Sequence, residues 1–71
     1  MKYFEEFLEE FFSVVNIEPK IIISKQYEKL YVKKLKQLKL KYLILRHRIS
    51  EELKKENLEE FIVNLDELFG R

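Results

Sequence analysis

The N-terminal segment alternates apolar and acidic positions with the period of an α-helix. Its apolar residues follow the spacings i, i+3, i+4, i+7, i+8 and i+11, which place them on one side of a helix: Phe4, Phe7, Leu8, Phe11, Phe12 and Val15. The other side carries four glutamates, at positions 5, 6, 9 and 10. The pattern predicts an amphipathic helix over about residues 2–15, ended by Asn16 with Pro19 shortly beyond.

Residues 17–24 allow two interpretations. Pro19 could open a second helix at its first position, where a missing N–H group costs nothing. Alternatively, residues 21–23 form a short extended stretch, and Ser24 caps a helix that starts at Lys25. The three consecutive isoleucines are β-branched, which slightly favours the extended alternative.

The middle of the chain is predicted to form one long helix over about residues 25–49, with an extension to about residue 55 as the alternative. Its apolar residues alternate spacings of four and three in a heptad-like pattern: Tyr31, Leu35, Leu38, Tyr42, Leu45 and Ile49. Residues 38–42 also alternate with the period of a strand, but no Gly or Pro interrupts the segment and Lys, Leu and Gln favour a helix. Leu40, Leu43 and Ile44 fall outside the main stripe, so this helix is expected to be central in a bundle or to contact two neighbours.

A last helix is predicted over about residues 58–69. Asn57, followed three residues later by Glu60, fits a capping box in which Asn replaces the usual Ser or Thr. Strict helical spacing then relates six apolar residues: Leu58, Phe61, Ile62, Leu65, Leu68 and Phe69. Gly70 stands where a left-handed residue would end the helix.

The composition of the chain favours association with another chain. The chain has 71 residues, 46% apolar and 38% charged, which suits one globular domain with a marginal core. It has no cysteine, so disulfides and thiolate zinc sites are excluded, and its single histidine cannot build a histidine metal site alone. We therefore expect no metal and no cofactor, and a core that is completed by a partner.

The charges are segregated along the chain. Residues 1–19 carry −4, residues 20–48 carry +9 and residues 49–71 carry −4. The simpler interpretation is that the acidic helices pair with the basic one, each exposed pair adding about 0.2–1 kcal/mol and fixing which helices meet. The alternative is a basic helix that neutralises the phosphates of DNA or RNA. Its candidate residues are Lys33, Lys34, Lys36, Lys39, Lys41, Arg46 and Arg48.

Neither catalysis nor membrane insertion is expected. The one glycine is second from the end, so no glycine-rich phosphate loop is present, and the paired glutamates fall on polar helix faces. The longest central uncharged apolar run, residues 42–45, is far too short to span a bilayer. The first residues turn acidic quickly, unlike a signal peptide, which predicts a cytoplasmic location.

These patterns together predict an all-α fold: one long basic central helix with two shorter acidic amphipathic helices, completed by dimerisation. If the flanking helices pack over the same length of the long helix, they complete a three-helix bundle. If they pack at opposite ends, Leu40, Leu43 and Ile44 stay uncovered and form a partner interface, most simply with a two-fold copy. The functional hypothesis is a non-enzymatic protein–protein interaction or assembly module, a homodimer or an accessory subunit. A small nucleic-acid-binding protein is the alternative.

Overall fold

The part of the chain that the structure describes folds into four α-helices. The computed structural model describes residues 1–70, and its helices are α1 (Lys2–Val15), α2 (Glu18–Ile23), α3 (Gln26–Lys55) and α4 (Glu60–Phe69). No strand occurs within that range, so the prediction of an all-α fold is confirmed. None of these helices combines the length and the apolar character that crossing a bilayer requires.

The short helix α2 corrects the interpretation of residues 17–24. The extended alternative for residues 21–23 is wrong, because these residues complete α2, which has Pro19 in its first turn. Helix formation gives the backbone internal partners: Ser24 N–H donates to the carbonyl of Lys20 over 2.9 Å. A three-residue strand would need a neighbouring strand, and residues 1–70 contain none. Ser24 is the one extended residue between α2 and α3, and α3 begins without a side-chain cap.

Asn57 ends the long helix instead of starting the last one, so the predicted capping box is wrong. Its backbone is left-handed, with a φ of 58°, a conformation that Asn tolerates better than most residues. The Asn57 N–H donates to the carbonyl of Lys54, and the Leu58 N–H donates to the carbonyl of Leu53 over 2.8 Å. These two bonds are those of a Schellman motif, and Leu58, which follows it, packs against the buried core to which Leu53 belongs. Helix α4 then begins after Glu59, without a side-chain cap.

The expected left-handed conformation at Gly70 is also wrong. Gly70 has a φ of −84°, and its N–H donates to the carbonyl of Asp66 over 2.9 Å, so it prolongs the last turn of α4. Its φ does not require a glycine, but a Cβ at this position would lie 2.8 Å from the carbonyl oxygen of Asp66, so the absence of a side chain avoids a close contact with the backbone.

Helices α1 and α4 pack against the same half of α3, and both run antiparallel to it. Phe7, Tyr42 and Phe69 bring the three helices together, with Phe7 and Tyr42 fully buried and ring centroids 5.4 to 5.8 Å apart. The rest of this core comes from α1 and α3: Val14, Leu38, Ile49 and Leu53. Helix α2 packs on α3 and on α1, and Lys20 of α2 lies over the ring of Tyr27 near the start of α3.

A carboxylate from α3 completes the start of α1. Glu52 Oε1 accepts the backbone N–H of Tyr3 over 2.7 Å and that of Phe4 over 3.3 Å. The first N–H groups of a helix have no partner inside it, and they carry the positive end of the helix dipole. Glu52 therefore supplies the cap that α1 lacks in its own sequence.

The packing separates opposite charges along the molecule. Residues 17–39, comprising α2 and the N-terminal half of α3, carry a net charge of +5. Residues 1–16 and 40–70, which pack together at the other end, carry −5. The near-neutral chain therefore has one basic and one acidic end, along a longest dimension of 42 Å.

Candidate protein-binding surface

Three of the chain's large apolar side chains lie side by side on α3 and point away from the core. Leu40 is 62% exposed, Leu43 is 54% exposed and Ile44 is 77% exposed. Successive residues of a helix are rotated by about 100°, so positions two before and two after the fully buried Tyr42 face the opposite side of α3. Neither packing alternative foresaw this arrangement, because α1 and α4 share one half of α3 and still leave these residues uncovered.

Polar residues continue the same side of α3 in both directions. Lys33 and Gln37 precede the apolar residues, and His47 and Glu51 follow them, at alternating spacings of four and three. We call this surface the outer face of α3; it comprises Lys33, Gln37, Leu40, Leu43, Ile44, His47 and Glu51. Except for a contact of 3.1 Å between His47 Nε2 and Glu51 Oε1, no side-chain hydrogen bond or ion pair within residues 1–70 involves the polar members.

Three of the seven basic residues considered for nucleic acid have partners within the fold. Lys41 Nζ lies 3.4 Å from Glu6 and 3.5 Å from Glu10, which joins α3 to the acidic side of α1. Arg48 stacks over the ring of Tyr3, at 4.8 Å from its centroid, and donates a hydrogen bond to its hydroxyl group. Both residues therefore attach α1 to α3.

Arg46 is held by an aspartate of α4. Its Nε and one Nη donate to the two carboxylate oxygens of Asp66 over 2.7 and 2.6 Å, the forked geometry that arginine favours. Tyr42 donates its hydroxyl to the same carboxylate over 2.6 Å. The hydrogen bonds from Arg46 and then from Tyr42 lower the pKa of Asp66 to about 2. Burial, followed by the hydrogen bond to Asp66, raises the pKa of Tyr42 well above its ordinary value.

The other four candidates lie towards the basic end of α3. Within residues 1–70, no ion pair involves Lys33, Lys34, Lys36 or Lys39. An open depression of about 550 Å³ lies beside them, lined by Val32 and by charged residues of α3 alone. With walls from a single helix, it lacks the convergent polar groups of an enclosed ligand site.

Residues from other helices were missed by the sequence analysis. Asp66 and Glu52 were each just one acidic residue on a polar helix face, and only the packing of α1 and α4 shows their partners. The pairing of His47 with Glu51 had a local signal, because residues four apart are neighbours on a helix.

No group of metal ligands and no relative adds to this picture. Among residues 1–70, no three His, Cys, Asp or Glu side chains are placed to hold a metal ion together. The arrangement described is therefore that of a surface, with an apolar centre and charged ends, rather than of an enclosed site. Comparisons with protein-family models, with curated proteins and with solved structures found no significant match.

Proposed function

We propose that this protein is a small non-enzymatic assembly module that joins protein chains through the outer face of α3. The observation that carries the proposal is the exposure of Leu40, Leu43 and Ile44 as one patch on the longest helix of the fold. Contiguous apolar side chains rimmed by polar ones mark interaction surfaces more often than scattered ones do. Helical spacing of such residues is also the usual geometry by which helices recognise one another.

The size of the patch predicts a weak interaction. Full burial of a Leu or Ile side chain stabilises by about 1.5–3 kcal/mol, and between 54% and 77% of each of these side chains remains to be buried. Three residues from each of two copies would contribute about 9 kcal/mol, and the lost freedom of the two partners costs at least about 4 kcal/mol, which leaves about 4–5 kcal/mol for association. The dissociation constant of a homodimer is therefore expected at roughly 0.1–1 mM, so it must be sought at high protein concentration.

Sedimentation equilibrium tests this proposal directly. Wild-type protein, followed from about 10 µM to about 2 mM, should shift from monomer towards dimer. The triple variant Leu40→Gln, Leu43→Gln and Ile44→Gln should stay monomeric with unchanged helical circular dichroism, because exposed positions contribute little to folding.

Helix α2 offers a matched control. Ile22 and Ile23 are even more exposed, at 89% and 86%, but lie outside the outer face. Their replacement by Gln should leave the association intact. A wild-type monomer over the whole range, or an association that depends on Ile22 and Ile23 instead, contradicts the proposal.

A second candidate function is nucleic-acid binding at the basic end of α3. The observation that favours it is the group of four lysines, at positions 33, 34, 36 and 39, for which residues 1–70 provide no acidic partner. Neutralising phosphates with four lysines predicts a logarithmic salt slope of about −3 to −4 on duplex DNA. The acidic end would repel the same polyanion, which limits binding to this end of the molecule.

Fluorescence anisotropy with a labelled duplex separates the two functions. Replacement of Lys34 and Lys39 by Gln should weaken DNA binding and reduce its salt slope by about 2. The same variant should dimerise like the wild type, since neither lysine belongs to the outer face. Undetectable binding at low salt contradicts the nucleic-acid function and leaves the assembly function standing.

A further inference from the structure

We infer that the partner of the outer face is a second copy of this chain, and that the two α3 helices pair antiparallel with Lys33 of each copy beside Glu51 of the other. This inference rests on the proposed assembly function and names its partner and its geometry. It follows from the order of residues along the outer face.

A two-fold axis near residue 42 would place residues of the outer face opposite complementary residues of the second copy. The antiparallel arrangement places three kinds of pairs across the interface: Leu40 opposite Ile44, Gln37 opposite His47, and Lys33 opposite Glu51. Each pair occurs twice because of the symmetry. The apolar pairs lie at the centre, the hydrogen-bonding pairs come next, and the opposite charges lie at the two ends.

The parallel arrangement brings equal charges together. It would place Lys33 against Lys33 and Glu51 against Glu51 of the second copy, and like charges at such positions oppose association. Within one chain, Lys33 and Glu51 lie about 27 Å apart along α3, so they cannot pair with each other. An acidic partner for Lys33 and a basic partner for Glu51 are both available from the antiparallel copy.

The charge of the whole molecule favours the same orientation. The basic end, residues 17–39, carries +5, and the acidic end, residues 1–16 with 40–70, carries −5. Antiparallel pairing about residue 42 lays the basic end of each copy beside the acidic end of the other. The residues that attach α1 and α4 lie on other sides of α3, including Lys41 and Arg46, so the second α3 can approach the outer face.

Disulfide trapping tests the orientation, because the wild-type chain contains no cysteine. We would prepare Gln37→Cys and His47→Cys separately, and oxidise each alone and as a mixture at about 1 mM. Antiparallel pairing predicts a disulfide-linked heterodimer in the mixture and little product from either variant alone. Positions 37 and 47 are about 15 Å apart along the helix, too far for the homodimeric bonds in this register.

Charge reversal tests the register independently. Lys33→Glu and Glu51→Lys should each weaken dimerisation at least about tenfold, because each change affects two pairs in the dimer. The double variant should restore the wild-type dissociation constant to within about threefold. The matched controls are Lys2→Glu and Glu9→Lys on α1, which alter the net charge equally, lie outside the outer face, and should have less than about a twofold effect.

The outcomes distinguish this inference from the function on which it rests. A dimer that cross-links through position 37 alone, or that is not restored by the double reversal, overturns the antiparallel register and leaves the assembly function intact. A wild-type chain that stays monomeric to about 2 mM overturns both self-pairing and its register. Heterodimeric cross-linking together with rescue by the double variant supports the inference.

Discussion

Replacement of Asp66 by asparagine should destabilise the fold by about 1 kcal/mol at neutral pH. The Asp66 carboxylate joins α4 to α3 through Tyr42 and both donors of the Arg46 fork, over 2.6 to 2.7 Å. Asparagine loses the charge and turns an amide donor towards the guanidinium donors. The loss is expected to loosen α4, which is only 10 residues long and has few other polar attachments.

The size of the effect follows from the pKa of Asp66. An ordinary aspartate has a pKa of about 3.9, and the folded protein lowers the pKa of Asp66 to about 2, which corresponds to an upper limit of about 2.5 kcal/mol. Solvent screening reduces this figure, because the side chains of Asp66 and Arg46 are 34% and 48% exposed. About 1 kcal/mol should lower the melting temperature by about 4–8 °C in a domain of this size.

The lowered pKa of Asp66 also predicts how the stability difference between wild type and Asp66→Asn should change with pH. Because folding lowers the pKa of Asp66, its contribution is fully present above about pH 5 and is lost as the pH falls through 4 towards 2. Urea unfolding, followed by circular dichroism at about 5 µM to keep the chain monomeric, should show wild type and Asp66→Asn converging over that acidic interval. Glu67→Gln, the neutralisation of an exposed neighbour, should cost less than about 0.5 kcal/mol. Equal stability of wild type and Asp66→Asn at pH 7, or a difference that persists at pH 2, would refute the assigned role.

Three further changes test other contacts of the fold. Wild-type protein should lose stability above about pH 10, because the raised pKa keeps the Tyr42 phenol protonated in the folded state while the unfolded chain ionises, and Tyr42→Phe should abolish this pH dependence. Identical alkaline unfolding of the two proteins would argue against this. Glu52→Gln should lower the free energy of unfolding by about 1 kcal/mol and speed amide exchange at Tyr3 and Phe4, because it removes the charged acceptor of their N–H groups. Glu56→Gln should have neither effect. Asn57→Ala should cost about 1 kcal/mol in thermal unfolding while Asn57→Gly does not, because only glycine accepts a φ of 58° without strain; equal melting temperatures would contradict this.

Sequence patterns predicted a helix correctly where its apolar residues form one stripe facing the core. They predicted wrongly how some helices begin and end. The spacing of Phe4, Phe7 and Phe11 identifies α1 because all three must reach the same core. Asn57 can cap a following helix or end a preceding one, since both positions favour Asn, and the sequence alone does not distinguish the two. The three isoleucines of α2 had strand-like propensity but no strand with which to pair.

Residues that are adjacent in the sequence face different directions on a helix, as the three residues from Arg46 to Arg48 illustrate. Arg46, His47 and Arg48 look like one site in the sequence, but successive rotations of about 100° direct them apart. Arg46 meets Asp66 of α4, Arg48 meets Tyr3 of α1, and His47 lies on the outer face. Their separate roles depend on where α1 and α4 pack, information that only the tertiary structure contains.

The same packing gives the charge pattern along the sequence a different meaning. Acidic flanks of −4 on each side of a +9 segment suggest that the fold neutralises its own basic helix. Both flanks, however, attach to the C-terminal half of α3, where Lys41 and Arg46 receive acidic partners. The lysines of the other half remain beyond their reach, and the acidic end accumulates the opposite charge. A single copy cannot bring its two ends together, because α3 is one continuous helix of 30 residues. The antiparallel copy that we infer would bring opposite ends together and cover the exposed apolar patch at the same time, so one interface would account for both features.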